Sequence, residues 1–237
     1  GCDRPDIYIR WETDDGVCTV QTSDLLETDY SWSTEDHTID DFTGSEIDFG
    51  TLMPANAGEH PAIHIHNSIV RAHRYILTLD ETNVPHVDVQ WPESKNGAFY
   101  TPTFEEIHIG PDEQWSEGTH THEYGHHFLE NFSQNLSPDY CNGFCDDCFP
   151  CPFPQSNDCG HCLWCRETNH DAWNEGFPNW LGYLLNKNNL LDYSITPYSI
   201  NDMRYTLETP QTCQVDGMTH DPYITEGFLA ALLRDMV

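Results

Sequence analysis

The run "GTHTHEYGHHFLENF", residues 118–132, sets four histidines and two glutamates inside one short, apolar-flanked stretch. A helix turns every 3.6 residues, so His122 and His126 fall one turn apart on a common face, and His127 must point away from it. Thr119 or Thr121 is placed to cap such a helix, which then continues through Leu129.

His122, Glu123 and His126 spell H-E-x-x-H. On a helix the two imidazoles can reach one Zn²⁺ at about 2.0–2.1 Å, with the glutamate directed at the attacking water as general base. Catalytic zinc takes three protein ligands and keeps a fourth position open. The run therefore demands a partner further along the chain. The bland alternative, a helix with polar histidines on an exposed face, predicts no such ligand. A histidine six residues past His126, with glycine three past it, is absent, because those positions hold Phe132 and Leu129. A downstream carboxylate is the next option, and "WNEGFPNWLGYL" supplies Glu175 at a helix start.

With these residues in view, the sequence resembles the gluzincins, the thermolysin-like and aminopeptidase-like zinc peptidases, through "HEYGHHF" followed by "NEGFPNW". The resemblance implies His122, His126 and Glu175 as metal ligands, Glu123 as the base, and Asn174 beside the third ligand. It makes "GAFYTPTFEEIHIG" similar to the family's edge strand, which pairs with extended peptides. His220 and Tyr223, just before the last helix, resemble the place where thermolysin-like members keep an oxyanion-stabilising histidine, with Tyr193, Tyr198 and Tyr205 as rivals. The chain departs from the family in two respects. The gap between His126 and Glu175 is long, and Asn179 stands where thermolysin-like members carry an aspartate four residues after the third ligand. The group that orients a ligand histidine must therefore differ or come from elsewhere.

The implied fold is α+β and zincin-like, one catalytic unit over 1–237 in two lobes. A mixed α/β N-terminal lobe, 1–130, ends in the motif helix, and a mainly helical lobe, 131–237, carries a Cys-rich insert at 141–165. Periodicity supports this order. "DIYIRWE" and "VPHVDVQWP" read as strands and "GAFYTPTFEEIHIGP" as two extended pieces; "PAIHIHNSIVRAHRYILTL", with Ile65, Ile69, Ala72, Ile76 and Leu79, reads as a helix. "DAWNEGFPNWLGYLLNKNN" reads as a helix whose first turn Pro178 disturbs, and "YITEGFLAALLRDMV" as a final one. Residues 22–60, acidic and rich in Ser and Thr, read as a loop-rich surface.

Seven of the ten cysteines crowd into residues 141–165. They suggest disulfides and an oxidising, extracellular setting. A structural zinc using the C-x-x-C pairs and His161 is the rival reading. Cys213 is the expected outside partner, and Cys2 and Cys18 could staple the first strand; alternatively Cys2 is the lipidated residue of a lipoprotein. His64, His66, His73, His86 and His108 are expected to be packed or solvent-facing rather than ligating, and Asn131 and Asn135 head glycosylation sequons.

Forty acidic residues against nine basic ones give a formal charge of −31. Such a surface repels nucleic acid and anionic lipid, and neither is expected as a partner. No apolar run has the length of a membrane span, nor is there a secretory core, so an exported protein is represented here in its mature form. The function expected is that of a secreted, monomeric zinc metallopeptidase acting on peptides or proteins. Scarce basic residues to hold a substrate carboxylate favour endopeptidase action. Two further readings are a zincin-shaped binding protein without catalysis, against which the general base Glu123 speaks, and a zinc hydrolase of non-peptide amides.

Overall fold

The computed structural model describes residues 6–34, 41–54, 56–79, 84–132, 169–187 and 225–236, together with Arg4, Ile39, Trp164, 212–213 and 217–219. Among these, two sheets and four α-helices form a mixed α/β structure. The strands are β1 (Arg10–Glu12), β2 (Cys18–Gln21), β3 (Ser31–Ser33), β4 (Val87–Gln90), β5 (Ala98–Thr101) and β6 (Glu106–Ile109). The helices are α1 (His60–Leu79), α2 (Glu117–Phe132), α3 (Asn169–Lys187) and α4 (Glu226–Asp235). Every described strand precedes α2, and the described elements after it are helices.

The main sheet has the order β2-β4-β6-β5, with β2, β4 and β6 parallel and β5 antiparallel at one edge. Parallel neighbours need a long crossover, and α1 supplies it between β2 and β4. The register sets Val20 beside Val89, Val89 beside Ile107 and Ile107 beside Tyr100, a row on one face of the sheet. Ile65, Ile69, Ala72 and Ile76 of α1, spaced three or four apart, are buried in the same cluster, which continues through Tyr124 of α2 to Trp180, Leu181, Leu184 and Leu185 of α3. Full burial of a side chain of this size stabilises by about 1.5–3 kcal/mol. One continuous core therefore holds the sheet against both α1 and α3.

The first strand is shorter than "DIYIRWE" suggests, because only three of its residues pair with β3 and Ile7 makes a separate bridge to Ile39. The second short strand, β3, falls in the stretch expected to be loop. It is anchored there by Tyr30, whose hydroxyl donates to the Trp91 carbonyl at 2.9 Å, and by Trp32, whose indole donates to Glu59 at 2.8 Å. The staple between Cys2 and Cys18 is corrected: Cys18 is a free, fully buried thiol in the β2 ladder, opposite Val87. Cys213 is buried and disulfide-bonded, with its partner outside the described residues. No described helix is long and apolar enough to cross a membrane.

Candidate metal centre

The motif helix begins three residues earlier than Thr119 would start it and five earlier than Thr121 would. Ser116 is the capping residue: its carbonyl accepts from His120 N at 3.0 Å, and its hydroxyl lies 2.7 Å from the Thr119 hydroxyl and accepts from Thr119 N at 3.4 Å. Thr121, in the second turn, instead turns its hydroxyl back onto the Glu117 carbonyl at 2.8 Å. It competes with the ladder rather than starting it.

The four histidines of α2 separate by the direction in which they point. His120 and His127 are fully buried. The Nε2 of His120 donates to the Glu113 carbonyl at 2.9 Å, and burial, reinforced by nearby His64, pushes its pKa down to about 3 against the pull of that carbonyl. It is a neutral core residue. The Nε2 of His127 donates to the Pro85 carbonyl at 3.0 Å, which leaves its Nδ1 to accept from the Tyr100 hydroxyl at 3.4 Å. Both rings thus tie α2 to the loops and strand beneath it.

His122 and His126 face α3. Their Nε2 atoms stand 3.1 Å apart, and Glu175 Oε2 lies 3.2 Å from the first and 3.4 Å from the second. Four ligands placed tetrahedrally at about 2.0–2.1 Å from a zinc ion are separated by about 3.3–3.4 Å. The three edges of this triangle match that spacing, so the residues could hold a metal ion with one position left over. The donor chemistry fits as well, since two imidazole nitrogens and a carboxylate oxygen are a set that zinc accepts.

Close helix packing brings Glu175 there. A β-carbon on Gly125 would lie 2.8 Å from Pro178 Cα and 2.9 Å from its Cβ, so only glycine allows α2 and α3 to meet at this level. Gly182 repeats the approach one turn beyond Pro178, where a β-carbon would stand 3.3 Å from the Gly118 carbonyl oxygen. Pro178 therefore does not disturb the first turn of α3. It sits inside the helix, where its missing N–H gives up one ladder bond, and its ring packs on Gly125.

The orienting group for His122 is Asn179 itself. Its Oδ1 accepts from His122 Nδ1 at 3.1 Å, while its Nδ2 donates to Glu226 Oε2, at the start of α4, at 3.4 Å. The carboxylate fixes which end of the amide faces the histidine. The amide in turn puts the imidazole proton on Nδ1 and leaves the Nε2 lone pair directed at Glu175 and His126. Asn179 lies one helical turn beyond Glu175, and that spacing is the signal by which the sequence could have named it as a partner.

Glu123 is buried on α2 between the two site histidines, and Asn174 is half-buried beside Glu175 on α3. His220, Tyr223, Tyr193, Tyr198 and Tyr205 lie outside the described residues, as does the cysteine cluster apart from Trp164, which packs edge-on against Phe228. Of the other histidines, His73 is buried with its Nδ1 2.9 Å from the Tyr124 hydroxyl, His86 meets the Thr19 hydroxyl at 3.0 Å, and His108 pairs with Glu93 at 2.8 Å.

No protein-family model matches the sequence. The chain is 25% identical over 170 residues to an uncharacterized protein of Archaeoglobus fulgidus, an alignment covering 70% of this chain and 40% of that protein. Among solved structures, the precursor of protealysin, a metalloproteinase from Serratia proteamaculans, is similar at a TM-score of 0.40 and 10% identity, over 74% of this chain and 45% of that one. The chain thus spans less than half the length of either protein. The donor geometry, rather than these likenesses, defines the centre.

Proposed function

We propose that the chain is a zinc-dependent metallopeptidase of the gluzincin type, with His122, His126 and Glu175 as metal ligands and Glu123 as general base. The observation that carries this reading is the convergence of the three donor atoms at tetrahedral spacing on a helix whose H-E-x-x-H also contains Glu123. A purely structural metal site has no use for a buried carboxylate at that position. Zn²⁺ held there supplies Lewis acidity toward the scissile carbonyl and lowers the pKa of water to near neutrality. Glu123 takes a proton from the attacking water and passes it to the leaving amine as the C–N bond breaks. Asn179, backed by Glu226, keeps His122 in the ligating tautomer. His220 or Tyr223 is assigned, on the family resemblance, to the oxyanion.

In this reading α2 forms the floor between an α/β lobe and a helical lobe, and the substrate is an extended peptide or protein segment. The edge strand β5, which among the described residues pairs with β6 alone, offers its other side for main-chain pairing. Ten cysteines support an extracellular setting, and the scarcity of basic residues supports endopeptidase action by a monomer.

The test is zinc content together with casein or mixed-peptide cleavage for the wild type and Glu123→Gln. Retained zinc in both, with cleavage lowered about 10²–10⁴-fold only in the variant, is the expected result. Zinc bound without cleavage by the wild type overturns the peptidase reading in favour of a binding protein.

A further inference from the structure

A second group of potential metal ligands, sharing no residue with the proposed catalytic set, lies where β2 meets α1. Asp15 stands in the turn entering β2, Cys18 is the first residue of β2, and His66 is on α1. One ligand atom from each lies within 4.8 Å of the other two. Two belong to the turn and strand of β2 and the third to α1, and all three differ in chemistry, so neither a run of acidic surface residues nor a single core cysteine accounts for their meeting.

The turn preorganises the carboxylate. Asp15 Oδ1 accepts from Val17 N at 2.7 Å and Cys18 N at 3.1 Å, which leaves Oδ2 directed toward His66 Nε2 at 3.5 Å. A charge-assisted N–H···O bond would close to about 2.7–2.9 Å. This contact does not. Among the described residues, His66 Nε2 is buried with no hydrogen-bond partner. A buried imidazole nitrogen without a partner is costly, and a cation between nitrogen and oxygen requires a separation of about 3.3–3.4 Å when each ligand bond is about 2.0–2.1 Å. The free thiol of Cys18, fully buried, completes the set on its inner side.

We propose that Asp15, Cys18 and His66 form a second site for a borderline-soft divalent cation of the zinc class. Thiolate and imidazole select such an ion over magnesium or calcium, which prefer all-oxygen shells. Binding would displace the thiol proton to solvent and clamp the turn before β2 onto α1. His66, expected from the sequence to be packed or solvent-facing rather than ligating, becomes a ligand. The site shares no residue with the peptidase reading and stands or falls without it.

Cobalt(II) distinguishes the two centres, because only a sulfur ligand gives a near-ultraviolet thiolate-to-cobalt charge-transfer band, and the set of His122, His126 and Glu175 has no sulfur. The full chain loaded with Co²⁺ should show the band. His126→Ala should keep it; Cys18→Ser and His66→Gln should each lose it, along with one cobalt equivalent. Absence of the band in the wild type overturns the proposal. So does a band unchanged in Cys18→Ser, since the sulfur would then come from another cysteine. If Cys18→Ser fails to fold, His66→Gln and Asp15→Asn decide the matter at less buried positions. Each, shown to be folded by circular dichroism, should weaken cobalt binding at the sulfur-containing site at least tenfold, and unchanged binding in both overturns the assignment.

Discussion

The two faces of α2 carry the same residue type to opposite ends. Toward the core, His120 and His127 spend a ring N–H on a loop carbonyl and remain neutral packing groups. Toward α3, His122 and His126 meet each other and a carboxylate, with a proton held on the far side of His122 by an amide. A histidine in a helix is therefore not informative by itself. What decides its role is whether its second nitrogen finds a saturated carbonyl or an open cluster of lone pairs.

That contrast can be broken by two substitutions. His126→Ala should lower zinc affinity by more than the roughly 10–100-fold that follows loss of an orienting group alone, with little change in the urea midpoint of the metal-free protein. His127→Ala, which opens a cavity and strands the Pro85 carbonyl, should cost about 2–4 kcal/mol by urea denaturation and leave zinc affinity nearly intact. Equal effects on both readouts would erase the distinction between the faces. The packing beneath the site can be probed separately. Gly125→Ala forces a methyl into Pro178 and should destabilise by about 1–3 kcal/mol, with a parallel loss of metal affinity that chelator competition would register.

The amide behind His122 allows a finer test. Asn179→Ala should weaken zinc by about 10–100-fold. Asn179→Asp should not be silent here, because it sets a second carboxylate against Glu226 and removes the donor that oriented the side chain. Metal titrations of the two variants read this directly.

The smallest effect expected is on pH. Burial, aided by Arg74 and outweighing Asp15, holds His73 below its ordinary value of 6.5. The unfolded chain then binds a proton that the folded one refuses, so stability is fully present above pH 6.5 and falls as the pH drops below it. Urea melts from neutral to mildly acidic pH should show a shallower decline for His73→Gln, by up to about 1.4 kcal/mol per pH unit.

Much of this was legible in the sequence wherever period and burial coincide. The helical spacing of Ile65, Ile69, Ala72 and Ile76, the alternation ending in Ile107 and Ile109, and the one-turn spacing of His122 and His126 all correspond to elements or faces that form. β2 was not legible. Its four residues, Cys18 to Gln21, are all buried, with a threonine and a glutamine among them, so neither alternation nor an apolar run marks it. The cap of α2 was misplaced by the abundance of threonines, two of which serve other partners. Pro178 suggested a disturbed first turn because its compensation, a glycine on another helix, is visible only in three dimensions. The same holds for the cluster at Asp15, Cys18 and His66, in which a helix residue some fifty positions away meets two residues of one turn.

The meeting of α2 and α3 at Gly125 has one more consequence. Two donors stand on one helix and the third on the other, so an ion bound there is shared across their interface, and by mass action its affinity includes the free energy of docking the two helices. Metal occupancy is then a gauge of that docking. Conditions that pry α3 away should release the ion before the sheet melts, and stripping the ion should loosen α3 first.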